Sequence, residues 1–150
     1  MPLSNSRIGS SRRPDDDRND APIADFFRVL VVGKSPINRV VVSRIVERSG
    51  LKPVSEAPEA AAKALQTLVP GTVVLDGGAD NRDCDMLLPD IVAMRRLAGG
   101  AAPSIILLST RNDAPNIHDL STLVDAVVAK PITPENLQPV IHRLALRSQR

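Results

Sequence analysis

The sequence predicts an α/β domain, a (βα)₅ arrangement in which five parallel strands are sandwiched by helices and joined by right-handed crossovers. Three observations carry that prediction. Short, almost purely apolar runs recur along the chain and stop at polar residues: Val29–Val32 at Gly33-Lys34, Thr72–Leu75 at Asp76, Ile105–Leu108 at Ser109, and Ala126–Ala129 at Lys130-Pro131. Such runs are expected of strands covered on both faces. Segments of helical length with start and stop signals lie between them. Parallel strands of this kind share one C-terminal edge, where open α/β folds place their chemistry, so Asp76, Ser109 and Lys130 are expected to converge on one pocket.

Val29–Val32 is the first strand. Ser35-Pro36 then reads as an N-cap followed by proline at the first helical position, and Gly50 closes that helix as its C′ residue. Ile37, Val40, Val41 and Ile45 recur at helical spacing as its packing stripe; so much β-branching leaves packing, not propensity, to hold the helix. Lys52–Glu56 is a short strand. Pro58–Val69 is an alanine-rich helix with Leu65 and Leu68 inward, stopped by Pro70-Gly71.

After Thr72–Leu75, the polar stretch from Gly77 to Asp83 is a loop, and Met86–Leu97 is a helix ended by Gly99-Gly100. Ile105–Leu108 is the fourth strand. A loop through Arg111, Asn112 and Pro115 leads to a short helix at His118–Leu123, and Ala126–Ala129 is the fifth strand. Thr133 caps a last helix beginning at Pro134, whose Leu137, Val140, Ile141 and Leu144 form an i, i+3, i+4, i+7 stripe. Pro139 inside it is expected to bend its first turns.

Composition narrows the function classes. The 150 residues fit one domain, residues 26–150, preceded by a polar tail at 1–25. That tail sets Arg12-Arg13 against Asp15-Asp16-Asp17 and has too little apolar surface to offset its ordering entropy, so it is expected to be disordered. With two Phe and no Trp or Tyr, stacking on bases is poorly supplied, and a net charge of +2 demands no acidic partner; direct nucleic-acid binding is not expected. No segment is long and apolar enough for a signal peptide or membrane span. The single cysteine, Cys84, suits a reducing cytoplasm.

VVLD ending at Asp76, IILLST with Ser109, VVAKP with Lys130-Pro131 and the SPINR stretch opening the first helix, in this order and spacing, resemble the receiver domain of bacterial two-component response regulators. The resemblance spans Arg28 to about Leu146. It implies a flavodoxin-like doubly wound sheet of strand order 2-1-3-4-5. It also implies that Asp76 matches the aspartate that accepts a phosphoryl group from a kinase histidine. Ser109 matches the hydroxyl residue that contacts the phosphoryl oxygens, and Lys130 the lysine that pairs with the aspartate and then the phosphate. Those roles suit the chemistry, because a weak carboxylate nucleophile forms an acyl phosphate only where a cation and donors stabilise the phosphoryl oxygens. The alternatives are a strand-end cap for Asp76 and a solvated charge for Lys130.

The chain also departs from that family. Two adjacent acids that usually hold Mg²⁺ are here Gly33 and Lys34. Magnesium wants hard oxygen ligands in near-octahedral geometry, and a unit charge about 4 Å from another is worth on the order of 4 kcal/mol at an effective dielectric near 20. Magnesium binding is therefore expected to be weak or absent, with no other cofactor or metal implied. Lys34 is expected to act as a built-in cation beside Asp76 and Lys130, or else to point into solvent. Gly78 matches the position whose carbonyl usually completes the metal site, Asp80 and Asp83 are candidate substitute ligands or solvated charges, and Val127 stands where an aromatic switch residue is customary.

Other chemistries fit less well. Gly33-Lys34-Ser35 lacks the glycine a phosphate loop needs five positions earlier, where Arg28 stands. His118 and His142 have no nucleophile-and-acid setting. Cys84 reads as a small buried residue, or one mildly acidified at a helix start. The expected function is that of an atypical single-domain response regulator: not an enzyme, acting as a protein-interaction module through His118–Leu123, Ala126–Ala129 and the last helix, with magnesium-dependent phosphorylation of Asp76 lost or altered. Expected partners are a histidine kinase, a phosphotransferase or a downstream regulator, and the last helix offers a homodimer face. An effector domain after Arg150 is not expected, so output is expected to pass through other proteins. The alternatives are a working phosphoacceptor or phosphorelay intermediate, and a site for a small anion or nucleotide at the strand ends.

Overall fold

The computed structural model describes residues 25–78, 82–97, 99, 102–110 and 124–148, with side chains as far as residue 144. In chain order the elements are β1 (Asp25–Val32), α1 (Pro36–Arg48), β2 (Lys52–Glu56), α2 (Pro58–Leu68), β3 (Pro70–Asp76), α3 (Leu88–Leu97) preceded by a 3₁₀ turn at Asp85–Leu87, β4 (Ser104–Ser109), β5 (Ala126–Ala129) and α4 (Pro134–Ser148). The tail before Asp25, the helix expected at His118–Leu123, and Asp80 lie outside the described residues.

The five strands form one parallel sheet of order β2-β1-β3-β4-β5, the doubly wound topology expected. Side-chain alternation divides the core into two layers. Val29, Val31, Val74, Ile106 and Leu108 pack under α1 and α4 with Val42, Ile45, Val46, Leu137, Ile141 and Leu144. Leu30, Val32, Val73, Leu75, Ile105 and Leu107 pack under α2 and α3 with Ala61, Leu65, Ile91 and Met94. Register places the strand ends side by side, since Val32 pairs with Leu75, Asp76 with Leu108 and Ser109 with Ala129.

Several boundaries differ from expectation. β1 begins at Asp25, whose N–H donates to the Val69 carbonyl at 2.8 Å. Pro70 and Gly71 do not merely stop α2 but open β3; the helix ends at Leu68, with Val69 as its C-cap in the left-handed region at φ 44°. The start of the helix expected at Met86 is a 3₁₀ turn, and α3 proper begins at Leu88. Ser35 caps α1 as expected, its Oγ accepting from the Asn38 N–H at 3.2 Å. Thr133 caps α4, with its Oγ1 accepting from Asn136 N–H and its own N–H donating to Asn136 Oδ1.

The stripe of α1 is the main correction. Val42, Ile45 and Val46 face the sheet, while Ile37 is 75% exposed and Val40 and Val41 are exposed too. With β-branched residues at six positions of one helix, two helical phases are equally apolar and periodicity does not choose between them. The rotation follows from the helix entry, where the Ser35 cap fixes the first turn and the Asn38 side chain ties it to the end of β3 at Asp76.

Thr72 is the buried polar side chain whose Oγ1 finds no hydrogen-bond partner among the described residues. An unpaired buried hydroxyl costs its desolvation, and valine has nearly the same shape. Thr72→Val is therefore expected to raise the unfolding free energy by about 1 kcal/mol, read as a higher denaturant midpoint at unchanged slope; a lower midpoint would mean the hydroxyl is paired.

Candidate functional site

Asp76 closes β3 and is 5% exposed, so its carboxylate depends on the protein for hydrogen bonds. Lys130, at the end of β5, places Nζ 2.6 Å from Oδ1, and the Gly78 N–H donates to the same oxygen at 3.1 Å. The second oxygen, Oδ2, accepts from Asn38 Nδ2 at 3.1 Å. Ser109 ends β4, fully buried, and its carbonyl accepts from the Lys130 N–H at 2.9 Å. Asp76, Ser109 and Lys130 are thus brought to one sheet edge, with Lys130 in direct contact with Asp76. Asn38 is the contact that sequence reading passed over, although it sits in the SPINR stretch.

The two residues standing where acids were expected behave differently from each other. Gly33 is buried against Asp76, and a Cβ there would lie 2.9 Å from the Asp76 Cβ. Lys34 is not the cation on Asp76. Its side chain is 58% exposed and its Nζ lies 3.6 Å from Asp83 Oδ1, a contact weakened by solvent screening. Asp83 packs over Gly78, whose φ of +74° and whose lack of a Cβ, which would run into the Asp83 carboxylate, both require glycine there. The neighbouring Gly78 carbonyl accepts from Thr110 Oγ1 at 2.6 Å.

A hard-oxygen ligand set for magnesium is not what these side chains supply. Gly33 offers none, Lys34 a cation, Asp76 a carboxylate engaged on both oxygens, and Gly78 a carbonyl already bonded. Among the described residues no three His, Cys, Asp or Glu side chains cluster in a way that could hold a metal ion.

Cys84 lies beneath this edge, its Sγ 3.3 Å from the Asp76 carbonyl. Burial pushes its thiol up to about 12, the carboxylates of Asp76, Asp83 and Asp85 push the same way, and Lys34 opposes them. It is a protonated packing residue, the opposite of an acidified helix-start thiol.

Supporting contacts hold the two loops in place. Arg39 Nη1 donates to the Gly33 carbonyl at 2.6 Å, and Asn136 Nδ2 donates to the carbonyls of Ala129 and Pro131 at 3.3 and 3.0 Å. The Lys130–Pro131 peptide is cis. A cavity of about 260 Å³ opens between α1 and this second loop, with Val41, Val42, Pro131 and Ile132 as walls and Asp76, Lys130 and Asn38 at its polar end. At the opposite end of the strands, Arg95 pairs with Asp125, whose Oδ2 also accepts from the Ile105 N–H at 2.7 Å. Val127, which the resemblance set where an aromatic switch residue would be expected, is exposed.

Solved structures share this architecture. The chemotaxis protein CheY4 of Vibrio cholerae aligns with a TM-score of 0.64 at 18% identity, over 82% of this chain and 99% of that one. These neighbours are response-regulator receiver domains. A signal receiver domain from Bermanella marisrubri aligns at 0.63 and 23% identity, over 79% and 97% of the two chains. The receiver domain of a sensor histidine kinase from Pseudomonas aeruginosa, solved with a magnesium ion in its active-site cleft, aligns at 0.65 and 19% identity, over 79% and 96%. At these identities the likeness establishes the fold. No family model matches the chain, and no curated protein matches it. Among the described residues no helix is long and apolar enough to cross a membrane.

Proposed function

We propose that the protein is an atypical response regulator acting in two-component signal transduction as a non-enzymatic protein-interaction module, with magnesium-dependent phosphorylation of Asp76 lost or altered. The observation that carries this reading is the Asp76 carboxylate, held on one oxygen by Lys130 and the Gly78 N–H and on the other by Asn38, with Gly33 and Lys34 where metal-binding acids would stand. Magnesium binding is weak or absent in this reading. Partners are a histidine kinase, a phosphotransferase or a downstream regulator in a bacterial cytoplasm, and α4 is the face for a second copy.

Incubation with phosphoramidate, with and without Mg²⁺, followed by intact-mass analysis, tests it. No stable magnesium-dependent adduct is expected. A stable adduct at Asp76 that requires Mg²⁺ would overturn the reading in favour of a working phosphoacceptor or relay intermediate. The cavity beside Asp76 favours a second reading, a site for a small anion or nucleotide; a thermal-shift response to phosphate or nucleotides would support it.

A further inference from the structure

We infer that Asn38 is a positioning residue that governs the reactivity of Asp76, by holding Oδ2, the carboxylate oxygen left over when Lys130 and the Gly78 N–H have taken Oδ1. The inference rests on reading Asp76 as the reactive group of the site, and goes beyond it in naming what restrains that group.

Two independent features of the structure point to Asn38. The first is the division of donors. Oδ1 receives a charged donor at 2.6 Å and a backbone N–H at 3.1 Å, so it is the oxygen fixed in place. Oδ2 receives the Asn38 amide, at 3.1 Å, and no charged donor among the described residues, so it is the oxygen whose lone pairs are less heavily engaged. The second is location. Asn38 and Asp76 both line the cavity between α1 and the loop after β5, with Asn38 supplied from the α1 side. Any electrophile entering that cavity meets the Asp76 carboxylate with the Asn38 amide already bonded to its Oδ2 and Lys130 to its Oδ1.

The helix entry makes this placement firm. Asn38 is the third residue of α1, and its own N–H is satisfied by the Ser35 cap at 3.2 Å. An asparagine here could have turned back towards the cap, as side chains at this position often do. Instead it spans to Asp76, and Arg39 beside it ties down the Gly33 carbonyl. Hydrogen bonds thus connect the loop, the helix start and the carboxylate.

Reaction at Oδ2 breaks this contact. With phosphoramidate, an Oδ2 lone pair attacks phosphorus, the P–O bond forms, the P–N bond breaks, and ammonia departs after taking a proton from solvent. With trimethyloxonium, Oδ2 attacks a methyl carbon and dimethyl ether leaves, giving a methyl ester without phosphoryl or metal chemistry. Both reactions draw on the lone pairs that the Asn38 N–H engages, so both are slowed by it.

The test compares Asn38→Ala and Asn38→Leu with the unaltered protein, both substitutions being good helix formers. The rate of Asp76 methylation by trimethyloxonium is read by peptide mass spectrometry against exposed Glu59 as internal reference. A hydrogen bond to a charged group corresponds to about a tenfold rate effect or more, so Asp76 methylation is expected to be about tenfold faster in both variants. Unchanged rates in both would overturn the inference. Acceleration in Asn38→Ala alone would also overturn it, because leucine removes the donor but keeps the bulk and would reveal a steric cover. Phosphoramidate, run in parallel, separates the two levels: if it labels no variant while methylation accelerates in both, the role of Asn38 stands and the phosphoacceptor alternative falls.

Discussion

Replacing Lys130 by methionine is expected to lower the unfolding free energy by about 3 kcal/mol at neutral pH. Asp76 is buried, with a side chain only 7% exposed, and the Lys130 ammonium is the one cation in contact with it among the described residues. Methionine keeps the aliphatic stem packed beside Pro131 and removes only the charge, so the loss reports on the carboxylate left behind. Breaking a buried pair from one side is costly because the remaining ion has been desolvated without compensation. Asn38 and the Gly78 N–H still donate to Asp76 and Lys130 is 22% exposed, so the loss falls at the low end of the range for such pairs. The decisive comparison is Asp76→Ala combined with Lys130→Met. If the two groups are coupled as the geometry requires, the double variant is more stable than Lys130→Met alone, because no orphaned carboxylate remains. Chemical denaturation of the four proteins measures this; equal losses in single and double variants would show that the pair is screened by solvent.

The parts of this site that were legible in the sequence are those fixed by strand periodicity. β3 and β4 are covered on both faces, so their apolar runs stop where the sheet stops, and Asp76 and Ser109 fall at the edge by that fact alone. Lys130 follows for the same reason, although β5 is an edge strand with Val127 exposed. Helix rotation was not legible in α1, because Ile37, Val40, Val41, Val42, Ile45 and Val46 satisfy two phases at once. Contacts between side chains distant in sequence were not legible either. Asn38 and Asp76 are 38 positions apart, and no local pattern says that an asparagine in a first helical turn will reach a strand end. Lys34 illustrates the converse. Its charge was plain, but its pairing with Asp83 depends on how the loop after β3 folds over Gly78. The Arg95–Asp125 pair joins the last turn of α3 to the residue before β5, 30 positions away, and is not legible for the same reason.

Gly33→Asp, which places an acid beside Asp76, is expected to destabilise the protein by about 3 kcal/mol and not to create a tight magnesium site. The reason is contact rather than charge alone. A Cβ at position 33 falls 2.9 Å from the Asp76 Cβ, and what it meets is the root of a side chain fixed by three hydrogen bonds, not a flexible tip. Overpacking of that kind costs about 1–3 kcal/mol, and Gly33→Ala, which carries the Cβ without the charge, should show roughly half of the total loss. The remainder is repulsion between two carboxylates at close range in a poorly solvated place. Millimolar Mg²⁺ is expected to leave the denaturation midpoint of Gly33→Asp nearly where it was, because Lys130 and Asn38 still occupy Asp76 and Lys34 still adds a positive charge at the rim. A midpoint restored by Mg²⁺ would mean that Asp76 exchanges those partners readily for a metal, and that the glycine is a vacancy in an otherwise intact site. Without that recovery, Gly33 belongs to a strand end in which glycine, Asn38 and Asp76 fit one another, and building a metal site there would require changing Asn38 as well as introducing acids.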